Sequence, residues 1–156
     1  MTVPSHLHIN GRGADQNFED GEKLYRGFEY AEFDPVESTI AIEYIKFPDL
    51  SCNRSKYSSP EDIRFRRNGR TTDGCYSFTV ADSKYKGWVS PVHDPIDDEL
   101  FPNYAHTELR VRRETDGDGE LPPKGRKIKS PAKKLEYRNH LSNVLRIEFM
   151  ATPLES

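Results

Sequence analysis

The chain has 156 residues and a formal net charge of −3, with 33 Leu, Ile, Val and Phe between them. That length suits one domain, and the apolar fraction lies near the boundary at which a chain struggles to bury enough surface. The acidic balance gives no global attraction to nucleic acid or to an anionic membrane, and no apolar run approaches the roughly 18 residues of a membrane span.

Eight Tyr, eight Phe and one Trp offset the shortage of aliphatic residues. Each ring buries roughly 150–250 Å², so a small, aromatic-rich core is expected. The first residues, MTVPSHLHINGRG, carry neither a basic nor an apolar leader pattern. Cys52 and Cys75 have no CxxC or CxxH partner and read as reduced thiols. A cytoplasmic protein is the expectation.

Residues 1–22 are polar and Gly-rich and read as a flexible N-terminal arm. His6 and His8 would share a face of an extended segment but need further ligands to hold a metal. Residues 23–156 are expected to form the domain. LYRGFEY at 24–30 alternates and is rich in aromatics, a first strand carrying Arg26. TIAIEYIKF at 39–47 is β-branched, ends at Pro48 and predicts a second. The following FPDLSCNRSKYSSPED has the composition of a loop, because Ser, Asn and Asp side chains bond their own backbone. Within it, Ser59-Pro60-Glu61-Asp62 looks like a helix start with Ser as N-cap. Asn68-Gly69 would stop that helix early.

CYSFTVA at 75–81 predicts a strand, and Gly87 separates it from WVSPVH at 88–93, which suggests a hairpin. Residues 106–112 give a half-exposed strand with a basic outer face, broken by ETDGDGE at 114–120. That run is no EF-hand, since Lys127 stands twelfth from Asp116 where a Glu belongs; a flexible turn is expected. The loop at 121–134 holds six Lys or Arg and no acid. Its charge suits phosphate, yet it lacks interleaved aromatics, which argues against nucleic acid as a partner. Ser130-Pro131 opens a helix over roughly 132–143, with Tyr137 and Leu141 on its inner stripe and His140 beside it. Alternation of Leu145, Ile147 and Phe149 favours a closing strand.

Side chains with chemistry converge where 88–93 and 106–112 meet their acidic, Pro-rich connection. Paired as antiparallel strands, they bring His93 and His106 to one end of a sheet, beside Asp94, Asn103 and Glu108. The candidate catalytic set is therefore His93, His106, Glu108 and Arg26. A zinc site from the histidines with Glu108 or Asp94, and Cys52 or Cys75 as fourth ligand, matches no established spacing. The plainer role is that both histidines satisfy strand ends by bonding backbone or Asp94. There is no GxSxG elbow and no phosphate-cradling glycine loop. Arg26, Ser77 with Thr79, and Glu108 occur in the order used by one class of ADP-ribosyltransferases, where they would serve NAD pyrophosphate, nicotinamide and ribose. No cofactor or metal motif is complete.

LYRGF, then FPDLSCNRSKYSSPED, then VHDP followed by NYAHTE resemble a family of small bacterial proteins with the pattern LYR…S-x-N…HDP…N-x-x-H. The likeness covers roughly residues 24–111; Cys52 stands where that family has Val, and Tyr104 where it has Pro. It carries no established activity, so it implies a coherent domain. It picks out Arg26, Ser51, Asn53, His93, Asp94, Asn103 and His106 as the matching polar positions. The central loop adds Arg54 and Tyr57, residue types common at interaction surfaces. The sequence thus predicts an α+β domain, mainly antiparallel sheet with a C-terminal helix packed on one face. The expected function is a binding or interaction module with a protein partner, its surface near 51–62 and 93–108. The alternative is an enzyme acting through His93 and His106 on a nucleotide or phosphorylated substrate, with NAD as one candidate. Third is nucleic-acid binding through 124–134.

Overall fold

A computed structural model describes residues 2–46, 49–66 and 72–151. Six antiparallel strands form one sheet in the order β6-β7-β4-β1-β5-β8. They are β1 (Lys23–Phe28), β4 (Leu50–Arg54), β5 (Gly74–Thr79), β6 (Val89–His93), β7 (His106–Val111) and β8 (Arg146–Met150). A small hairpin of β2 (Phe33–Asp34) and β3 (Thr39–Ile40), a short helix α1 (Val80–Ser83) and a long helix α2 (Pro131–Val144) complete it. This is the expected α+β architecture with a C-terminal helix on one face. Among the described residues, no helix is long and apolar enough to cross a membrane.

Alternation along the strands sends one set of side chains to the core. Leu24, Phe28, Cys52, Tyr76, Phe78 and Leu109 are buried there against Tyr137 and Leu141 of α2. Helix α2 starts where its sequence says it should: Pro131 occupies the first turn and Ser130 Oγ accepts from Lys133 N. Its far end is tied to β3, where Thr39 Oγ1 donates to the Ser142 carbonyl at 2.6 Å and Ser142 Oγ to that of Ile40 at 2.9 Å.

Five local expectations are corrected. The 39–47 strand is confined to β3, and Ile42–Tyr44 is a 3-10 turn. Ile40 and Ile45 are both fully buried in the same core, whereas residues five apart on a strand face opposite ways, so the chain must turn between them. Phe47 and Pro48 lie outside the described residues, as does the Asn68-Gly69 turn. The central loop is in part a strand: Leu50–Arg54 is β4, paired with both β1 and β7. Only Pro60–Arg64 is helical, a 3-10 segment closed by a Ser59–Asp62 capping box. β5 and β6 form no hairpin, for they sit at opposite sides of the sheet. Thr79 leaves the strand by accepting from Asp82 N as the N-cap of α1, and Lys86 (φ 53°) and Gly87 (φ 72°) then turn the chain toward the far edge.

The fourth correction concerns the N-terminal segment, which is packed. Val3 and Leu7 are buried with Phe65 and Ala105 in a second small cluster. The acidic turn is pinned as well: Arg126 Nη1 meets Asp116 Oδ2 at 2.6 Å, and that ion pair, with the Arg113 N–H, holds the Asp116 carboxyl at about 2.

Gly74 opens β5 where a Cβ would stand 2.8 Å from the Phe149 carbonyl oxygen and closer still to the Phe28 ring. The main chain of β8 cannot retreat without breaking its ladder to β5. Gly74→Ala is therefore expected to cost about 1–3 kcal/mol, read as a lowered urea midpoint. An unchanged midpoint would mean that β8 can shift without loss.

Candidate functional site

β4 and β7 run side by side in the middle of the sheet, with Asn53 opposite His106 and Ser51 opposite Glu108. These positions alternate with the core-facing Cys52 and Leu109 and so share the other face. His106 is locked at the start of β7 by two bonds to Asp94. Its carbonyl accepts from Asp94 N at 2.9 Å, and its Nδ1 lies 2.8 Å from the Asp94 carbonyl oxygen. A carbonyl can only accept, so Nδ1 carries a proton. Nε2 then faces Ser51 Oγ at 3.3 Å. Next to them Asn103 Nδ2 donates to Asn53 Oδ1 at 2.8 Å, while the Asn103 main chain forms both bonds of a bridge to Ile96.

The charges around this row are internally balanced. Arg110 Nη2 contacts Glu108 at 2.8 Å and Asp94 at 3.2 Å, and Lys124 Nζ reaches Asp94 at 3.1 Å and Glu108 at 3.4 Å. Burial alone would raise the Asp94 carboxyl, but Lys124 and Arg110 outweigh it and hold it below its usual value. Lys124 and Arg126 of the basic loop thus have intramolecular acids as partners. Arg26 reaches across the gap between β1 and β4, whose ladder has two paired positions, and donates from Nη1 to the Ser51 carbonyl at 2.8 Å.

His93 belongs to a different arrangement. It pairs with Thr107 rather than His106, a register that puts the two imidazoles on opposite faces. His93 is 2% exposed. Its Nε2 donates to the Tyr104 carbonyl and its Nδ1 accepts from Asp15 N at 2.8 Å. Burial pushes its pKa down, and the hydrogen bond to Tyr104 only partly opposes that. Tyr57 stacks on the ring at 5.6 Å and 11°, and Tyr104 meets it edge-on at 4.9 Å.

The same side of the sheet holds Arg54, which is fully buried. Its guanidinium grips Glu22 through Nε and Nη2, each at 2.8 Å. It also donates to the carbonyls of Asp15 and Asn17 and stacks on Phe18 at 3.9 Å. Gln16 adds a main-chain mimic: its amide accepts from His93 N at 3.0 Å and donates to His93 O at 2.8 Å. Tyr57 Oη donates to Asp15 Oδ2 at 2.6 Å. That bond and the Lys56 ammonium hold the Asp15 carboxyl far below the usual carboxylate range. Arg54, Tyr57 and His93 therefore clamp the N-terminal segment, a structural use in place of the binding role expected of them.

The structure brings together Ser51, Asn53, Asp94, Asn103, His106 and Glu108, with Arg26 behind Ser51. It separates them from His93, Arg54 and Tyr57. Asp15, Gln16, Glu22 and Lys124 complete the two clusters; sequence reasoning missed the first three and read Lys124 only as part of the basic 124–134 loop. Val3, Leu7 and Phe18, spaced through a mostly polar segment, were the signal that this segment packs. The ADP-ribosyltransferase-like trio does not gather, because Glu108 and Ser77 lie three strand spacings apart, about 14 Å. Ser77 Oγ is occupied with Glu148 at 2.6 Å. His6 meets Asp62 at 2.7 Å and His8 the Val3 carbonyl, so the two do not converge. Among the described residues, no three His, Cys, Asp or Glu side chains are grouped to hold an ion. Burial pushes both thiols, Cys52 and Cys75, up to about 12, so neither supplies a thiolate.

Fold and site define a small antiparallel α+β domain with a polar, charge-balanced sheet face beside an acidic loop. Comparison with protein-family models, curated proteins and solved structures finds no match to this chain.

Proposed function

We propose that the protein is a small binding module that docks a protein partner on the loop 94–105. The observation that carries this is a division of labour along the connection. Asp94, Asn103 and the Nδ1 and carbonyl of His106 hold its base, while its tip displays Leu100 at 74% exposure between the exposed acids Asp97 and Glu99 and the half-buried Phe101. A groove of about 490 Å³ runs beside the tip, walled by Asp97, Leu100 and Pro102 on one side and Val3, Ile9 and Asn10 on the other. A groove that sets Val3, Ile9 and Leu100 beside the acids Asp97, Asp98 and Glu99 suits an extended peptide that carries an apolar side chain flanked by Lys or Arg. An enzyme built on both histidines draws no support from this geometry, since both ring nitrogens of His93 are engaged inside the protein.

The reading is tested with a panel of labelled peptides varying in basic and apolar content, titrated into the full chain and followed by NMR. Basic-apolar peptides should shift residues 2–10 and 96–103, and Leu100→Asp should weaken the interaction at least tenfold, about 1.4 kcal/mol. Binding that ignores Leu100, or peptides that perturb only other surfaces, would overturn it.

A further inference from the structure

The Ser51–His106 pair has the parts of an activated nucleophile. Ser51 is exposed, on a strand held from behind by the Arg26 guanidinium. His106 is its diagonal neighbour on β7, a separation that a long ring spans. Activation of a serine needs a base with a free lone pair, aimed at Oγ and fixed by a third group. Here the third group is a main-chain carbonyl. The bond from His106 Nδ1 to Asp94 O fixes the tautomer, and the bond from Asp94 N to His106 O prevents that carbonyl from swinging away. With Nδ1 donating to that carbonyl, Nε2 is the nitrogen turned to Ser51 Oγ, at 3.3 Å. The carboxylate opposite Ser51, Glu108, is neutralised by Arg110 and Lys124.

We infer that Ser51 is a nucleophile activated by His106, and that the site takes carboxylic esters as acyl donors. The step balances without a cofactor. Ser51 Oγ bonds to the ester carbonyl carbon while its proton passes to His106 Nε2. The bond from that carbon to the leaving oxygen breaks, and the imidazolium returns the proton to the leaving group. Water, deprotonated by the same nitrogen, then adds to the acyl carbon; the bond from that carbon to Ser51 Oγ breaks, the imidazolium returns its proton to Oγ, and the acid leaves. This assignment is independent of partner docking, because the acyl site is on the strands and the docking tip lies beyond the Asn103 bridge.

The test is incubation of the full chain with p-nitrophenyl acetate, following p-nitrophenolate and mapping acetylated peptides by mass spectrometry. One acetyl group per chain should appear on Ser51 ahead of steady turnover. Ser51→Ala should abolish it, and His106→Gln should slow it at least ~100-fold, with urea midpoints showing that both variants fold. Acetylation confined to lysines, or a Ser51 rate equal in His106→Gln and the wild-type protein, would overturn the assignment. Should His106→Gln fail to fold, Ser51→Cys gives a second readout. Its thiol should alkylate at least ~10-fold faster at neutral pH than a free cysteine, as a thiolate beside an imidazole does. Alkylation at the free-cysteine rate would count against it.

Discussion

Arg54→Met should lower the free energy of unfolding by about 3–5 kcal/mol, the range for breaking a buried ion pair by removing one partner. The guanidinium is fully buried, and its loss leaves the Glu22 carboxylate and the carbonyls of Asp15 and Asn17 without their donors. The effect should be local as well as global. Hydrogen exchange in residues 2–22 should rise more than in β5, because the clamp is what attaches that segment. A second replacement, Glu22→Leu in the same chain, should restore part of the loss, since an apolar pair leaves no orphaned charge. A urea midpoint that does not move for Arg54→Met would show that the segment is held by Val3 and Leu7 alone.

His93→Gln gives the second large effect and carries a pH signature. Loss of the ring removes its stack with Tyr57 and the acceptor for Asp15 N, for about 3 kcal/mol. The sign follows from burial, which lowers the folded-state pKa below the usual histidine value of 6.5. The unfolded chain therefore binds the proton first as pH falls. The stability that His93 contributes is complete above about 6.5 and is lost as pH drops toward its folded value. The slope is at most ~1.4 kcal/mol per pH unit. Unfolding of the wild-type protein between pH 7 and pH 5 should show this slope, and His93→Gln should lack it. Equal pH dependence in both would mean that the buried imidazole is already charged in the fold.

The elements that could be read in advance are those whose signals are local. Ser130-Pro131 starts α2, alternation gives β1, β6, β7 and β8, and Ser59 with Asp62 closes its own capping box. β4 was hidden because its inward positions are Leu50, Cys52 and Arg54 and its outward ones Ser51 and Asn53, a composition indistinguishable from a loop. Glu22, 32 residues earlier, and the carbonyls of Asp15 and Asn17 make a buried arginine tolerable there, and no local pattern reports that. The site was legible to the same depth. Strand ends brought Asp94, Asn103 and His106 together on paper, and Ser51 and Asn53 entered through the resemblance. A register of one residue decided the rest: with His93 opposite Thr107, the two histidines part company across the sheet.

The N-terminal clamp also sets an order of events during synthesis. Asp15 and Gln16 find their partners at His93, 78 and 77 residues later, and Gly13 meets Tyr104 91 residues later. At ribosomal speeds of 5–20 residues per second this is a wait of roughly 4–16 s. Within that interval β1 can meet β4, and the segment ahead of it can reach Arg54, Tyr57, Asp62 and Phe65 but not β6. Residues 13–16 are thus made long before they are secured, and β6 receives its outer neighbour only after the middle of the sheet exists.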